Sequence, residues 1–312
     1  MSSATTATAT APLAAPRAGL SPLLIACLAA TWLVWGSTYL AIKFALQSFP
    51  PFFQMGSRFL FAGALLLGWM RWRGAPWPSR EQWRNALLIG ALMLGGGMGG
   101  TAYAEQSVGS GLVVAFIAIL PAMMAAGQML WRVYPSRLEA AGIAVGLAGV
   151  LLLTRGAGFQ ASTAGLVAIT LACLSWCAGS LLSQRRLPLA PGAMGFASEM
   201  ICGGVVLLLL AVPDGEYPKL AAHWPFEPGA VAAWAYLVVF GSLIAFNAYM
   251  VLLAQVSVAL SSSYSFVNPV IAMLLGVSLG GEVVSGLEWL AAGIVLASVM
   301  LLLAGRSSGK QH

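Results

Sequence analysis

Residues 31–63 read TWLVWGSTYLAIKFALQSFPPFFQMGSRFLFAG, and residues 172–204 read ACLSWCAGSLLSQRRLPLAPGAMGFASEMICGG. Shifting the first stretch by 141 positions superimposes Trp35 on Trp176, Leu46 on Leu187, Pro50 on Pro191, Ser57 on Ser198 and Gly63 on Gly204. Further along the chain the matches continue in the same order with offsets between 148 and 151, as in Pro121 with Pro269. These ordered matches predict that the chain consists of two similar halves.

Both halves are strongly apolar. Of the 312 residues, 60% are hydrophobic and 8% are charged, with a mean hydropathy of +0.88, whereas soluble domains carry about 25% charged residues. The apolar runs predict ten helices, each close to the roughly 20 residues that cross a bilayer. They cover residues 22–46, 52–71, 83–103, 111–131, 138–154, 163–184, 192–212, 230–252, 259–280 and 287–304. The expected fold is an all-α integral membrane protein with ten transmembrane helices.

The basic residues indicate the orientation of these helices. If the amino terminus is cytoplasmic, the inside loops and tails hold eleven basic residues, and the outside segments hold only Arg155 and Lys219. Basic loops stay in the cytoplasm, so both termini are predicted to be inside. Residues 1–21 are then a disordered cytoplasmic tail, and residues 305–312 are a second cytoplasmic tail. Because the basic residues are scattered through short loops, the net charge of +6 does not predict a nucleic-acid partner.

Each half contains five predicted helices, an odd number, so the second half enters the membrane in the opposite sense to the first. The predicted domains are therefore two inverted repeats, residues 22–154 and 163–304. Many secondary transporters use such a pair to form two conformations, each open to one side of a fixed central site. The repeat indicates transport but does not indicate what is transported.

Three motifs carry a resemblance to a known family. They are Trp35-Gly36-Ser37-Thr38-Tyr39, Arg58-Phe59-Leu60 followed by Ala62-Gly63, and Phe266-Val267-Asn268-Pro269-Val270. Over residues 22–304 the chain resembles the EamA family of the drug/metabolite transporter superfamily, and within it the YedA-like inner-membrane transporters. The resemblance implies ten helices in two inverted repeats, a bacterial inner-membrane location, and export of amino acids, their derivatives or drugs. It also implies a central cavity lined by helices one, three, four, six, eight and nine.

Polar and aromatic residues on those helices are the candidate substrate-binding residues. Trp35 and Trp176 hold equivalent repeat positions, and Ser37, Thr38 and Ser180 lie within about a turn of them. An aromatic face can bind an apolar or a cationic substrate. Alternatively, the tryptophans pack in the bundle and the hydroxyls bond carbonyls of the preceding turn.

Helix nine carries two further candidates, Tyr264 and Asn268, which are four residues apart and share a face. Pro269 has no backbone N–H, so it and Pro121, its partner in helix four, are predicted to interrupt the backbone at a binding site or hinge. Tyr103 in helix three and Asn247 in helix eight complete the candidates. For these two, interhelical hydrogen bonding is the alternative role.

Charged residues inside membrane helices are costly and are functional candidates for that reason. Arg58 and Glu199 hold equivalent repeat positions in helices two and seven. They could form a structural or gating ion pair, and proton coupling is the alternative. Glu105, just past the end of helix three, is a candidate for the outer mouth of the transport path.

The leading function is therefore secondary transport that exports a small metabolite. The expected partners are a small-molecule substrate and the lipid bilayer, with protons as a candidate coupling ion and a homodimer as a candidate assembly. A lipid or small-molecule scramblase or channel is the alternative. A membrane enzyme is disfavoured because only two histidines occur, His223 and His312, neither of them near paired acid–base or metal-binding residues. No cofactor, catalytic residue or metal is expected.

Overall fold

The computed structural model describes residues 20–108, 113, 116–153, 162–280 and 285–308, which form helices joined by short connections. The main helices are α1 (Pro22–Ala45), α2 (Pro51–Trp72), α3 (Arg80–Ala104), α4 (Leu120–Gln128), α5 (Arg137–Leu153), α6 (Thr163–Arg185), α7 (Ala193–Leu210), α8 (Pro228–Gln255), α9 (Tyr264–Gly280) and α10 (Gly286–Ser308). Two short helices, Glu216–Ala222 and Val258–Ser261, precede α8 and α9.

Most predicted helix ends lie within three residues of these bounds, and three helices differ further. The fourth and ninth predicted helices are interrupted by turns, at residues 118–119 and at residues 262–263. The tenth continues past its predicted end at residue 304 to Ser308, into the segment expected to be a tail. Residues 1–19 and 309–312, the remainder of the two predicted tails, lie outside the described residues. So do residues 111, 112, 114 and 115, which were expected in the fourth helix.

Seven helical segments within the described residues are long and apolar enough to cross a membrane. They lie in α1, α3, α6, α7 and α8, in the segment Val258–Leu275, and in α10. Gln54, Arg58 and Arg71 lower the mean hydropathy of α2, and the described α4 and α5 are short, at 9 and 17 residues. The chain is therefore a multi-pass membrane protein.

Local sequence signals explain where several helices begin. The Ser21 hydroxyl accepts a hydrogen bond from the backbone at the start of α1, and Ser162 does the same for α6. Ser79 and Gln82 form a reciprocal capping pair at the start of α3. The first amides of a helix lack partners within the helix, so such caps stabilise these starts by about 1 kcal/mol each.

Glycines allow α2, α3 and α7 to pack with their backbones in close approach. A Cβ atom added at Gly204 on α7 would lie 2.7 Å from the backbone nitrogen of Leu60 on α2. One added at Gly63, the repeat partner of Gly204, would lie 2.9 Å from the backbone nitrogen of Ile201. At Gly90 on α3, the backbone of α7 would be 2.7 Å away. Small residues are typical of such tight crossings in membranes.

Both α3 and α8 contain a π-helical segment, Ala91–Gly99 and Leu237–Phe246 respectively. A side chain from the opposite half of the protein binds a carbonyl in each segment. The Ser175 hydroxyl on α6 donates to the Leu92 carbonyl at 2.7 Å, and the Trp35 indole on α1 donates to the Gly241 carbonyl at 3.3 Å. Each half thus supplies a donor to the π segment of the other, and π segments are frequent at functional sites.

The α7–α8 connection, residues 211–227, folds against the turn between α1 and α2. The proline that precedes α2 offers no side-chain cap, and Glu216 from the connection supplies one instead. Its two carboxylate oxygens accept hydrogen bonds from the backbone amides of Phe52 at 2.9 Å and Phe53 at 2.6 Å. The Ser48 hydroxyl accepts from the Glu227 amide at 3.0 Å. The connection thereby links the second half of the protein to the first.

Burial of Glu216 is expected to make the stability of this contact depend on pH. Burial raises the pKa of the Glu216 carboxyl, and the hydrogen bonds from Phe52 and Phe53 act in the opposite direction. Since the folded pKa lies above the unfolded one, the folded state binds more protons in the window just above the ordinary glutamate range. The stabilising contribution of Glu216 should therefore decrease as pH rises through that window.

The measurement is the thermal unfolding midpoint of detergent-purified protein from the ordinary glutamate range, about pH 4, up to about pH 7. Glu216→Gln removes the titrating group, so the pH dependence should be flatter in this variant than in the wild type. Glu227→Gln is the matched control, because the Glu227 side chain is exposed and its contact to Ser48 uses the backbone. Parallel pH profiles for all three proteins would contradict the prediction.

Candidate functional site

A central cavity of about 100 Å³ lies between the two halves of the bundle. A water molecule needs roughly 10–15 Å³ on this scale, so the cavity can hold several waters or part of a small solute. Residues from α1, α2, α3, α6, α8 and α9 and from both sides of the turn before α4 line it. Its polar and aromatic lining consists of Trp35, Thr38, Arg58, Thr101, Glu105, Trp176, Tyr264 and Asn268. Helix α2 was not among the helices expected to line the cavity.

Four aromatic rings form a cluster beside this cavity. The Trp35 ring centroid lies 6.0 Å from that of Trp176, 5.4 Å from Tyr249 and 4.6 Å from Tyr264. Tyr249 also contacts Trp176 at 5.2 Å and Tyr264 at 5.6 Å. The repeat-equivalent tryptophans therefore meet at the centre of the protein. Tyr249, which is fully buried, was not predicted from the sequence to lie at this site.

The predicted hydroxyl residues divide into one that lines the cavity and two that do not. Thr38 lines the cavity, and its hydroxyl donates to the Trp35 carbonyl at 2.7 Å. Ser37 bonds the Val34 carbonyl and the Tyr236 hydroxyl instead. Ser180 lies behind the aromatic cluster, where its hydroxyl is 3.0 Å from that of Tyr249. Ser180 can therefore orient a ring of the cluster without lining the cavity.

Asn268 links α9 to α1 at the edge of the cavity. With its amide oriented to suit its neighbours, the Asn268 nitrogen donates to the Tyr264 carbonyl at 3.0 Å and to the Trp32 carbonyl at 3.2 Å. Pro269 follows inside α9, whereas Pro121 lies in the first turn of α4, where no backbone N–H is needed. In both places the helix is interrupted by a turn before the proline, not at it.

Two other candidates do not line the central cavity. Tyr103 is 36% exposed and stacks on Phe52 with 5.9 Å between ring centroids. It borders an apolar groove between α3 and α6 that shares Ala172 with the cavity. The Asn247 amide donates to the Leu243 carbonyl at 2.7 Å, within its own helix α8. Tyr103 and Asn247 lie on the helices predicted from the sequence, but neither residue lines the cavity.

Arg58 and Glu105 bring opposite charges to the same cavity. Arg58 is only 3% exposed, and its Nε and Nη1 atoms have no hydrogen-bond partner among the described residues. Its Nη2 atom lies 3.7 Å from the sulfur of Met98, a weak acceptor. Glu105 interacts with Arg58 electrostatically, but the two do not form an ion pair within 4.0 Å in the part of the chain that is described. This juxtaposition was not predicted from the sequence.

Glu199 lies apart from Arg58, the repeat partner with which an ion pair was considered. It is fully buried, and neither carboxylate oxygen has a hydrogen-bond partner within the described ranges. Cys202 and Tyr249 are the titratable neighbours that interact with it electrostatically. Arg58 and Glu199 do not pair because the guanidinium turns toward the central cavity, where Glu105 is its electrostatic partner.

Comparison with known proteins identifies the family. The EamA-like transporter family matches the chain twice, over residues 18–155 and 163–304. The chain belongs to the EamA-like transporter family. The resemblance seen in its motifs is confirmed, and the EamA domain is present in two copies.

Relatives of this EamA protein include transporters from several organisms. The chain is 41% identical over 284 residues to YedA of Escherichia coli, described as an inner membrane transporter, and the match covers 91% of each chain. It is 25% identical to protein PecM of Dickeya dadantii, covering 89% of this chain and 93% of that one. The likeness to YedA and the seven candidate spans confirm the expected multi-pass inner-membrane location.

The fold of this EamA protein also matches a solved structure. A crystal structure superimposes with a TM-score of 0.72 at 20% identity, covering 92% of this chain and 99% of that chain. A likeness at this identity supports the fold and carries no information on the substrate.

Proposed function

We propose that this EamA protein is a secondary transporter that exports small metabolites, with amino acids, their derivatives and drugs as candidate substrates. It alternates access to the central cavity from the two sides of the membrane. Ten transmembrane helices form two inverted repeats, residues 22–154 and 163–304, with both termini in the cytoplasm. The family membership and the excess of basic residues in the predicted cytoplasmic loops support this proposal.

The observation that carries the proposal is the position of the two equivalent tryptophans. Trp35 from the first repeat and Trp176 from the second contact each other, and both line the cavity. A change in the angle between the repeats must therefore change the shape of the site, as alternating access requires. We assign substrate binding to these two residues and to Thr38, Tyr264 and Asn268, which line the same cavity.

The remaining candidates take supporting roles in the proposal. Ser180 orients Tyr249, Ser37 joins α1 to α8 through Tyr236, and Asn247 bonds a carbonyl within α8. Tyr103 borders the apolar groove between α3 and α6. Gating and coupling are assigned to Arg58, Glu105, Glu199, Pro121 and Pro269. Among these, Glu199 is the candidate for proton coupling. Its carboxylate is buried without a hydrogen-bond partner among the described residues, and ionisable groups buried in membrane helices at such a cost are functional candidates.

The test is efflux from proteoliposomes that contain the purified protein and a mixture of amino acids and other metabolites. Saturable efflux of at least one metabolite, absent from protein-free vesicles, is the expected result. Repeating the assay with and without a pH gradient separates proton coupling from transport driven by the substrate gradient alone. Absence of flux under every gradient would overturn transport. Flux that never saturates, or translocation of labelled phospholipid, would indicate a channel or scramblase instead.

A further inference from the structure

The charges at the central cavity restrict the kind of solute that can bind there. Arg58 on α2 and Glu105 at the end of α3 both line the cavity, and no other charged residue of the described chain does. We propose that Arg58 and Glu105 form a two-charge recognition site for zwitterionic solutes, in which the anionic group of the solute contacts Arg58 and its cationic group contacts Glu105. This inference rests on the proposed transport function, because it assigns the substrate class of the same cavity.

The guanidinium of Arg58 is suited to bind an anion. The Nε and Nη1 donors have no protein partner among the described residues, and Nη2 reaches only the sulfur of Met98. Burying such donors without partners costs free energy, which a carboxylate would offset. Arginine carries several donors in one plane and binds carboxylates with charge-assisted hydrogen bonds.

Glu105 is suited to bind a cation. It follows the last residue of α3, at the helix terminus where the backbone dipole favours positive charge. Its carboxylate accepts no hydrogen bond from the described residues, and Arg58 is its charged neighbour beyond ion-pair distance. The carboxylate therefore retains acceptor capacity on the cavity side.

The two charges together select against solutes that carry only one charge. A solute with only an anionic group would bind Arg58 but be repelled by Glu105, and a solute with only a cationic group would meet the reverse. A zwitterion can replace the distant Arg58–Glu105 interaction with two close ones in a site of low dielectric, where charge interactions are strong. The rings of Trp35, Trp176 and Tyr264 leave an aromatic wall for the remainder of the solute.

The test compares matched probes that differ only in charge: phenylalanine, phenethylamine and 3-phenylpropionate, and the corresponding leucine, isoamylamine and 4-methylpentanoate. Apparent affinities come from the dose-dependent rise of the unfolding midpoint of the purified protein. In at least one series we expect the zwitterion to bind at least about tenfold more tightly than either analogue, the effect of one lost charge contact. If no zwitterion binds more tightly than both of its analogues, the proposal is overturned.

Charge-neutralising variants give a signature that a purely structural role cannot produce. Arg58→Gln should weaken the anionic probes and strengthen the amines, whereas Glu105→Gln should do the reverse. Arg84→Gln and Glu81→Gln, at an exposed ion pair, are the matched controls and should leave the order of affinities unchanged. If Arg58→Gln does not fold, Arg58→Lys should keep the zwitterion preference, and its loss there would contradict the proposal. Zwitterion binding without efflux of any metabolite would overturn the transport function and leave this site intact.

Discussion

Replacement of Trp35 by alanine is expected to reduce the initial rate of metabolite efflux at least about tenfold, because the cavity loses its central ring. Trp35 contacts Trp176, Tyr249 and Tyr264 and donates to the Gly241 carbonyl. Aromatic contacts contribute about 0.5–1.5 kcal/mol each, and 1.4 kcal/mol corresponds to a factor of ten. The measurement is efflux from proteoliposomes, normalised to the amount of monodisperse protein that was reconstituted.

One further Trp35 variant and one control at a different tryptophan test the role of the Trp35 ring. Trp35→Phe keeps an aromatic face but removes the donor to the Gly241 carbonyl, so its rate should lie between those of Trp35→Ala and the wild type. Trp72 is 75% exposed at the end of α2, and Trp72→Ala is expected to transport at nearly the wild-type rate. Wild-type efflux by a well-folded Trp35→Ala protein would exclude the aromatic cluster from the transport path.

The second large effect is expected on folding. Gly204→Leu should prevent α7 from packing on α2, because even a Cβ atom would lie 2.7 Å from the backbone nitrogen of Leu60. Overpacking of a core costs about 1–3 kcal/mol where side chains can adjust, and backbone atoms adjust less readily. Yield of monodisperse protein and the unfolding midpoint are the measurements. Gly63→Leu, at the equivalent repeat position, should have the same effect.

The matched controls for this prediction are Gly68→Leu on α2 and Gly293→Leu on α10. A Cβ atom at either position would meet no atom within 4 Å. Both variants should give folded protein with an unfolding midpoint close to that of the wild type. Normal yield and stability of Gly204→Leu would mean that α2 and α7 are farther apart than described.

Helix positions were predictable from the sequence because hydropathy and capping act locally. Ser21 and Ser162 precede apolar runs predicted to begin at residues 22 and 163, and α1 and α6 begin there in the structure. The repeat also predicted that Trp35 and Trp176 would be equivalent, and the structure places them in contact. What composition does not encode is the π-helical register of α3 and α8, since a π turn needs no distinctive residue type.

The sequence did not allow us to predict how each helix is rotated about its axis, and therefore which of its side chains face the cavity. Arg58 and Glu199 occupy equivalent positions, yet only Arg58 lines the cavity, because the side chains meet different neighbours in the folded bundle. Tyr103 and Asn247 were assigned to the correct helices but face elsewhere. Tyr249 was overlooked because a single tyrosine in an apolar helix does not reveal which helices surround it.

The hydrogen bonds to the π segments have a mechanical consequence. Tilting α3 away from α6 would stretch the Ser175–Leu92 bond, and tilting α1 away from α8 would stretch the Trp35–Gly241 bond. Neither half can tilt relative to the other without straining one of these two hydrogen bonds. The halves should consequently move as one coordinated pair, with a single energy barrier in place of two independent ones.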